Sequence, residues 1–167
     1  LIYVGGRSGL TIKNCNLENY GFGISNEGVT TPTGTLAPIG YFTLRNNTFK
    51  SNVLGTAIRL SEQLAINLTR SLTIRHQILN NTILDDHIIG IYVENANATL
   101  IRGNSINMGS QLNPGIHIVG GNLGTYDYNT LDGAKMVFTR YNLDEGKRNV
   151  IQSNTIQNTN TAMEIWE

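Results

Sequence analysis

A single cysteine, Cys15, in 167 residues excludes an internal disulfide framework and leaves the redox compartment unspecified. Charge is also scarce. Only 14% of residues are charged, and 12 basic side chains balance 12 acidic ones, so there is no general attraction to nucleic acid or anionic lipid, which clustered Lys and Arg would supply. Long apolar runs are missing: pairs such as Ile88-Ile89 fall far short of the roughly 20 residues of a membrane-spanning helix. The opening Leu1-Ile2-Tyr3-Val4-Gly5-Gly6 has no charged n-region and no long h-region, so it does not read as a signal peptide. The expected partners therefore include neither nucleic acid nor an inserted membrane.

What is abundant points to strands. The chain holds 22 Asn, 18 Gly, 18 Thr and 19 Ile against 3 Pro, and residues that favour helices are few. Asn, Gly and Thr with scattered Ile suit short strands joined by tight turns. The length fits one domain, residues 1–167.

An internal repeat specifies the architecture. An aliphatic residue is followed by Asn-rich polar residues and a second apolar residue five positions on. The copies are Ile12-Lys13-Asn14-Cys15-Asn16-Leu17, Leu44-Arg45-Asn46-Asn47-Thr48-Phe49, Ile78-Leu79-Asn80-Asn81-Thr82-Ile83, Ile101-Arg102-Gly103-Asn104-Ser105-Ile106 and Ile151-Gln152-Ser153-Asn154-Thr155-Ile156. Each copy is followed by a small residue and an apolar alternation whose first apolar residue lies seven to ten positions after the copy's end: Gly23-Ile24-Ser25-Asn26, Ala57-Ile58-Arg59-Leu60, Gly90-Ile91-Tyr92-Val93, Gly115-Ile116-His117-Ile118 and Ala162-Met163-Glu164-Ile165. The second apolar residues lie 32, 34, 23 and 50 positions apart. One coil needs about the shortest interval, and the longest implies a further coil, with Met136-Val137-Phe138 as its strand and an irregular or projecting loop within 120–147, centred on Gly121 to Tyr128.

No unit can bury its apolar positions alone, so the units stack in parallel. The expected fold is all-β, a right-handed parallel β-helix of about six coils, near 30 Å long at roughly 4.8 Å per coil. Cys15, Asn47, Asn81, Asn104 and Asn154 form a column read as a structural amide ladder, placed where Asn tolerates a left-handed backbone. The chain starts on one strand and stops inside another without a capping helix, so an excerpt of a longer protein, or ends covered by other subunits, is expected.

The repeat resembles the right-handed parallel β-helix repeats of pectate-lyase-like enzymes, polysaccharide-degrading phage tailspikes and periplasmic copper-maturation proteins, over residues 9–118 and again over 148–167. That resemblance implies a carbohydrate-engaging β-helix, extracellular or on a virion surface, whether a tailspike or receptor-binding protein or a secreted polysaccharide lyase. The alternative is a non-catalytic structural or adhesive column in a homotrimer or packed on other virion proteins.

Register turns the repeat into surface columns. The second strand presents Ser25, Arg59, Tyr92, His117 and Glu164 outward, followed two residues later by Glu27, Ser61, Glu94, Val119 and Trp166. Cleavage of a uronate by β-elimination needs a cation on the sugar carboxylate and groups that move protons. Arg59 is the candidate for the first role, with His117 and Tyr92 for the second. Glycoside hydrolysis needs two carboxylates about 5 to 9.5 Å apart, which Glu94 and Glu27, two coils apart, miss narrowly, so lyase chemistry is the favoured enzymatic reading and whether the chain is an enzyme stays open. Lys13, Arg45 and Arg102 form a basic column, interrupted by Leu79, that suits an acidic polysaccharide or simply guards an exposed sheet. Glu94 and Trp166 complete the substrate-binding set, with Tyr92 and Trp166 offering rings to sugars.

Other signals carry less. Asp85-Asp86-His87 reads as a solvated turn before it reads as a metal site. Gly5-Gly6-Arg7-Ser8-Gly9 lacks the ending of a phosphate loop, and the sequons at Asn46, Asn67, Asn80 and Asn97 follow from composition. His76 and Cys15 have no metal-ligand spacing, so no cofactor is called for, and calcium has no clear site.

Overall fold

The computed structural model describes residues 2–4, 9–26, 41–51, 55–61, 75–85, 87–109, 113–140 and 148–166. Leu1, the segment 5–8, Glu27, Asn67, Asp86 and the part of the expected projecting loop at 141–147 lie outside them.

The described residues form three parallel sheets and no helix. Sheet A has seven strands: Ile2–Tyr3, Phe22–Asn26, Thr56–Ser61, Ile89–Glu94, Pro114–Val119, Lys135–Thr139 and Met163–Trp166. Sheet B has six: Leu10–Lys13, Phe42–Arg45, Gln77–Leu79, Leu100–Arg102, Thr125–Asp127 and Val150–Gln152. Sheet C has six: Asn16–Glu18, Thr48–Lys50, Thr82–Leu84, Ser105–Asn107, Thr130–Asp132 and Thr155–Gln157. The chain visits A, B and C in turn, and each strand pairs with its counterparts in the neighbouring coils. This is the parallel β-helix expected from the repeat, and right-handed winding is the hand that parallel crossovers adopt.

Three stacks fill the interior. Ile24, Ile58, Ile91, Ile116 and Met136 pile up behind sheet A. Ile12, Leu44, Ile78, Ile101 and Tyr126 do so behind sheet B, and Leu17, Phe49, Ile83, Ile106 and Leu131 behind sheet C. All of these are buried, so aliphatic burial across coils holds the column together. The small residue before each sheet A isoleucine has a steric cause: a Cβ on Gly90 would lie 2.6 Å from the carbonyl oxygen of Gly115 in the next coil.

The B–C corner is an amide ladder. The backbone N–H groups of Cys15, Asn47, Asn81, Asn104 and Asn129 each donate to the side-chain oxygen of the next Asn, ending at Asn154, over 2.9–3.0 Å. Each ladder amide from Asn47 to Asn154 also donates to a carbonyl of the preceding coil, over 2.8–3.1 Å. The left-handed residue is not the ladder Asn. It lies one position earlier, at Asn14, Asn46, Asn80, Gly103, Tyr128 and Ser153, with φ from 53 to 67°.

The loop expected to project from Gly121 to Tyr128 is instead part of the wall. Thr125–Asp127 and Thr130–Asp132 are strands, with Asn129 on the ladder. Tyr126-Asp127-Tyr128-Asn129-Thr130-Leu131 is a sixth copy of the motif, hidden because an aromatic ring, fully buried, takes the first aliphatic position. The Met136-Val137-Phe138 strand lies where expected, within Lys135–Thr139.

Candidate functional site

The outer face of sheet A brings the expected trio together. Arg59 pairs in register with Tyr92, and Tyr92 with His117. The Arg59 guanidinium carbon lies 5.6 Å from the Phe22 ring centroid and 5.9 Å from that of Tyr92, within reach of cation–π attraction. Tyr92 and His117 meet edge to face at 5.4 Å. Phe22, Thr56, Arg59, Ile89 and Tyr92 line a shallow depression of about 280 Å³. The alternation of the strands produces this row: Ile58, Ile91 and Ile116 point inward, so the residue after each must point out.

His117 continues the row into the next coil, where its Nε2 lies 3.1 Å from the Thr139 hydroxyl. Burial holds its pKa below the ordinary value, and the nearby Glu94 carboxylate opposes that shift. Burial thus favours the neutral ring. Glu94 itself sits in register with Ser61 and accepts the Ser61 hydroxyl at 2.6 Å. Ser25, Ser61 and Val119, expected to be outward, are buried, whereas Tyr3, which precedes Ser25 in the row, is exposed. Glu27 lies outside the described residues.

Trp166 is 58% exposed, in register with Thr139, and its indole N–H donates to Glu164 at 3.2 Å. Lys135 forms an ion pair with the same Glu164 carboxylate, which holds that carboxyl below its ordinary pKa. These residues make a second polar and aromatic cluster on sheet A.

The basic column has a different fate. Lys13 and Arg45 are exposed and in register, followed by Leu79 and Arg102. The next residue of the row is Asp127, and Arg102 grips it with Nε and Nη2 at 2.8 and 2.7 Å. Asp127 is fully buried, and this fork keeps its carboxyl below the usual range. The basic run thus stops at an ion pair, with Gln152 next in the row; the sequence did not reveal it because Asp127 fell in the segment read as a loop.

His87 is buried, with Nε2 2.9 Å from the Tyr20 hydroxyl and Nδ1 3.2 Å from the Asp85 carbonyl oxygen. An Nδ1–H donating to that carbonyl leaves Nε2 to accept from Tyr20. Burial and the Asp85 charge both raise the Tyr20 pKa, so the phenol keeps its proton.

Residues 2–165 match the profile of a family described as "Periplasmic copper-binding protein (NosD)". The chain belongs to the NosD family. No curated protein and no solved structure matches it. The family description names copper and the periplasm, and mentions neither polysaccharide nor virion.

Copper favours several thiolate, thioether or imidazole donors converging on one point. This NosD-family chain has one Cys, three Met and three His, and all are described. His76 is buried and stacked on Phe42, with Nδ1 accepting the Phe42 N–H at 3.3 Å. His87 lies buried at the entry to a sheet A strand, and His117 stands on the outer face of sheet A. Cys15 occupies the ladder at the B–C corner, and Met108 is buried beyond a sheet C strand. Only Met136 and Met163 stand in register. Among the described residues no three of His, Cys, Asp and Glu gather into a metal-holding group, so these donors do not fit a copper centre.

Proposed function

We propose that this NosD-family chain is an extracytoplasmic binding column for an acidic polysaccharide, which lies along the outer face of sheet A with a uronate carboxylate on Arg59. The observation that carries the reading is the placement of the Arg59 guanidinium between the Phe22 and Tyr92 rings at the rim of the depression. Rings on both sides limit the motion of the planar fork, so less entropy is lost when its in-plane N–H donors take a carboxylate. The strand repeat of about 4.8 Å, close to the advance of one sugar residue along a glycan, lets successive side chains meet successive sugars.

Cleavage would follow the same geometry. The carboxylate and the acidic α-proton belong to one sugar, so the base must neighbour the residue that holds the carboxylate. Tyr92, one strand from Arg59, meets that condition; His117, two strands or about 10 Å away, lies further along the path, on the side of the leaving oxygen. The assignment is therefore Tyr92 as base and His117 beside the leaving group, in a β-elimination. The expected assembly is a homotrimer or another extracellular complex that presents these faces side by side.

Affinity electrophoresis in gels containing acidic or neutral polysaccharides tests the binding. Retardation by acidic glycans that Arg59→Ala abolishes is the expected result, and equal mobility in every gel would overturn the proposal. Incubation followed by ultraviolet absorbance detects unsaturated ends: their appearance, and loss in Tyr92→Phe and His117→Ala, adds lyase activity to binding. Retardation without cleavage assigns the chain to adhesion.

A further inference from the structure

The outer face of sheet A changes character along its length. At one end stand Arg59, Phe22 and Tyr92. Four strands further on, roughly 19 Å at the sheet spacing, the face carries the Lys135–Glu164 ion pair and the exposed Trp166 bonded to Glu164. Between the two ends lie Glu94, His117 and Thr139. Arg140 follows Thr139 and lines, with Ile165 and Trp166, a separate apolar hollow of about 200 Å³.

A homopolymer of uronates would set a carboxylate at every sugar along this path. One would fall near Glu94 and another near Glu164, and like charges repel most where water is partly excluded. The ammonium of Lys135 is already shared with Glu164, so it offsets the second clash only in part. A neutral sugar meets the same groups favourably. Its C–H face covers an indole ring, and its hydroxyls donate to a carboxylate and exchange hydrogen bonds with a Thr hydroxyl. An aromatic ring beside a carboxylate is thus a site for an uncharged sugar, while a fork held between rings is a site for an anionic one.

We propose that the ligand of sheet A is a mixed glycan, in which one uronate sits at Arg59 and neutral sugars occupy the stretch from His117 to Trp166. This rests on the acidic-polysaccharide reading above and sharpens it. Glu164 and Trp166 then set specificity, rejecting carboxylates at the far end and accepting uncharged rings.

Two hexasaccharide probes of equal length separate the possibilities by calorimetry or fluorescence polarisation: one all uronate, the other with a single terminal uronate followed by neutral sugars. The mixed probe is expected to bind about tenfold tighter, equivalent to about 1.4 kcal/mol. Trp166→Ala should remove that preference by weakening only the mixed probe, and Glu164→Gln should reduce it by strengthening the uronate probe. Equal or tighter binding of the all-uronate probe overturns the inference and leaves the acidic-polysaccharide reading intact. A preference unchanged in both variants also overturns it. Failure of both probes to bind overturns the acidic-polysaccharide reading itself.

Discussion

The B–C corner and the outer face of sheet A belong to the same coils, yet they repeat very differently. At the corner five successive coils place an Asn at one position, and each amide bonds the next. Along the outer face the in-register residues are Tyr3, Ser25, Arg59, Tyr92, His117, Val137 and Glu164, with Tyr alone occurring twice. A solenoid supplies the same backbone environment at every coil, so a position governed by the backbone converges on one residue. Variety at such a position means that the backbone does not dictate it. The corner carries stability, and the face is the one we propose for recognition.

The comparison can be broken most forcefully at the centre of the ladder. Asn104→Ala leaves the Asn81 N–H and the Ile78 carbonyl without their partners, and buried groups left unpaired cost about 1–3 kcal/mol each. A loss of about 3 kcal/mol or more is expected in urea denaturation, and a change under 1 kcal/mol would show that the ladder is not a structural element.

Odd residues in repeated columns should be improvable. Asn26 lies in the inward column continued by Leu60, Val93, Ile118 and Phe138, and both polar atoms of its buried amide lack a hydrogen bond. Asn26→Leu restores the column and should stabilise by about 1–2 kcal/mol; a lower melting temperature would mean that the amide has a role there. Tyr128 is the bulkiest residue of the left-handed turn column, at φ 55° and 60% exposed. Replacing it with Asn, the residue of three other coils, should gain about 0.5–1 kcal/mol, read as a shift in the denaturation midpoint.

The smallest effect concerns pH and tests the face. The His117 pKa is lowered from 6.5 in the folded chain, so the unfolded chain takes up the proton first as pH falls. Stability from this group is intact above about pH 6.5 and declines as pH drops through the folded value. His117→Gln should flatten that decline while leaving stability at pH 8 within about 0.5 kcal/mol. An unchanged pH profile would assign the titration elsewhere.

Much of the fold was legible because its cause is local and repeated. Ile58, Ile91 and Ile116 announce the inner stack by spacing alone, and the residue after each is then outward. Legibility failed at Tyr126, where one buried ring broke the aliphatic pattern and a wall coil read as a loop. It failed again at the left-handed turn residue, since in an Asn-Asn pair the hydrogen-bonding partner and the strained backbone cannot be told apart from composition. On the face, register put Arg59, Tyr92 and His117 in one row. It did not show that Phe22 and Tyr92 flank the guanidinium, or that Asp127 takes up Arg102. Those outcomes depend on side chains reaching across coils between residues 25 to 37 positions apart.

The parallel column, its inner stacks and its amide ladder follow from the residue pattern alone, because each arises from one kind of residue recurring at one spacing in a constant backbone environment. Which outward charges pair with each other, which polar residues are buried, and how far apart the copper-favouring side chains lie are set by contacts between coils. Side-chain length and rotamer bridge neighbouring coils, and a one-dimensional repeat does not encode such meetings.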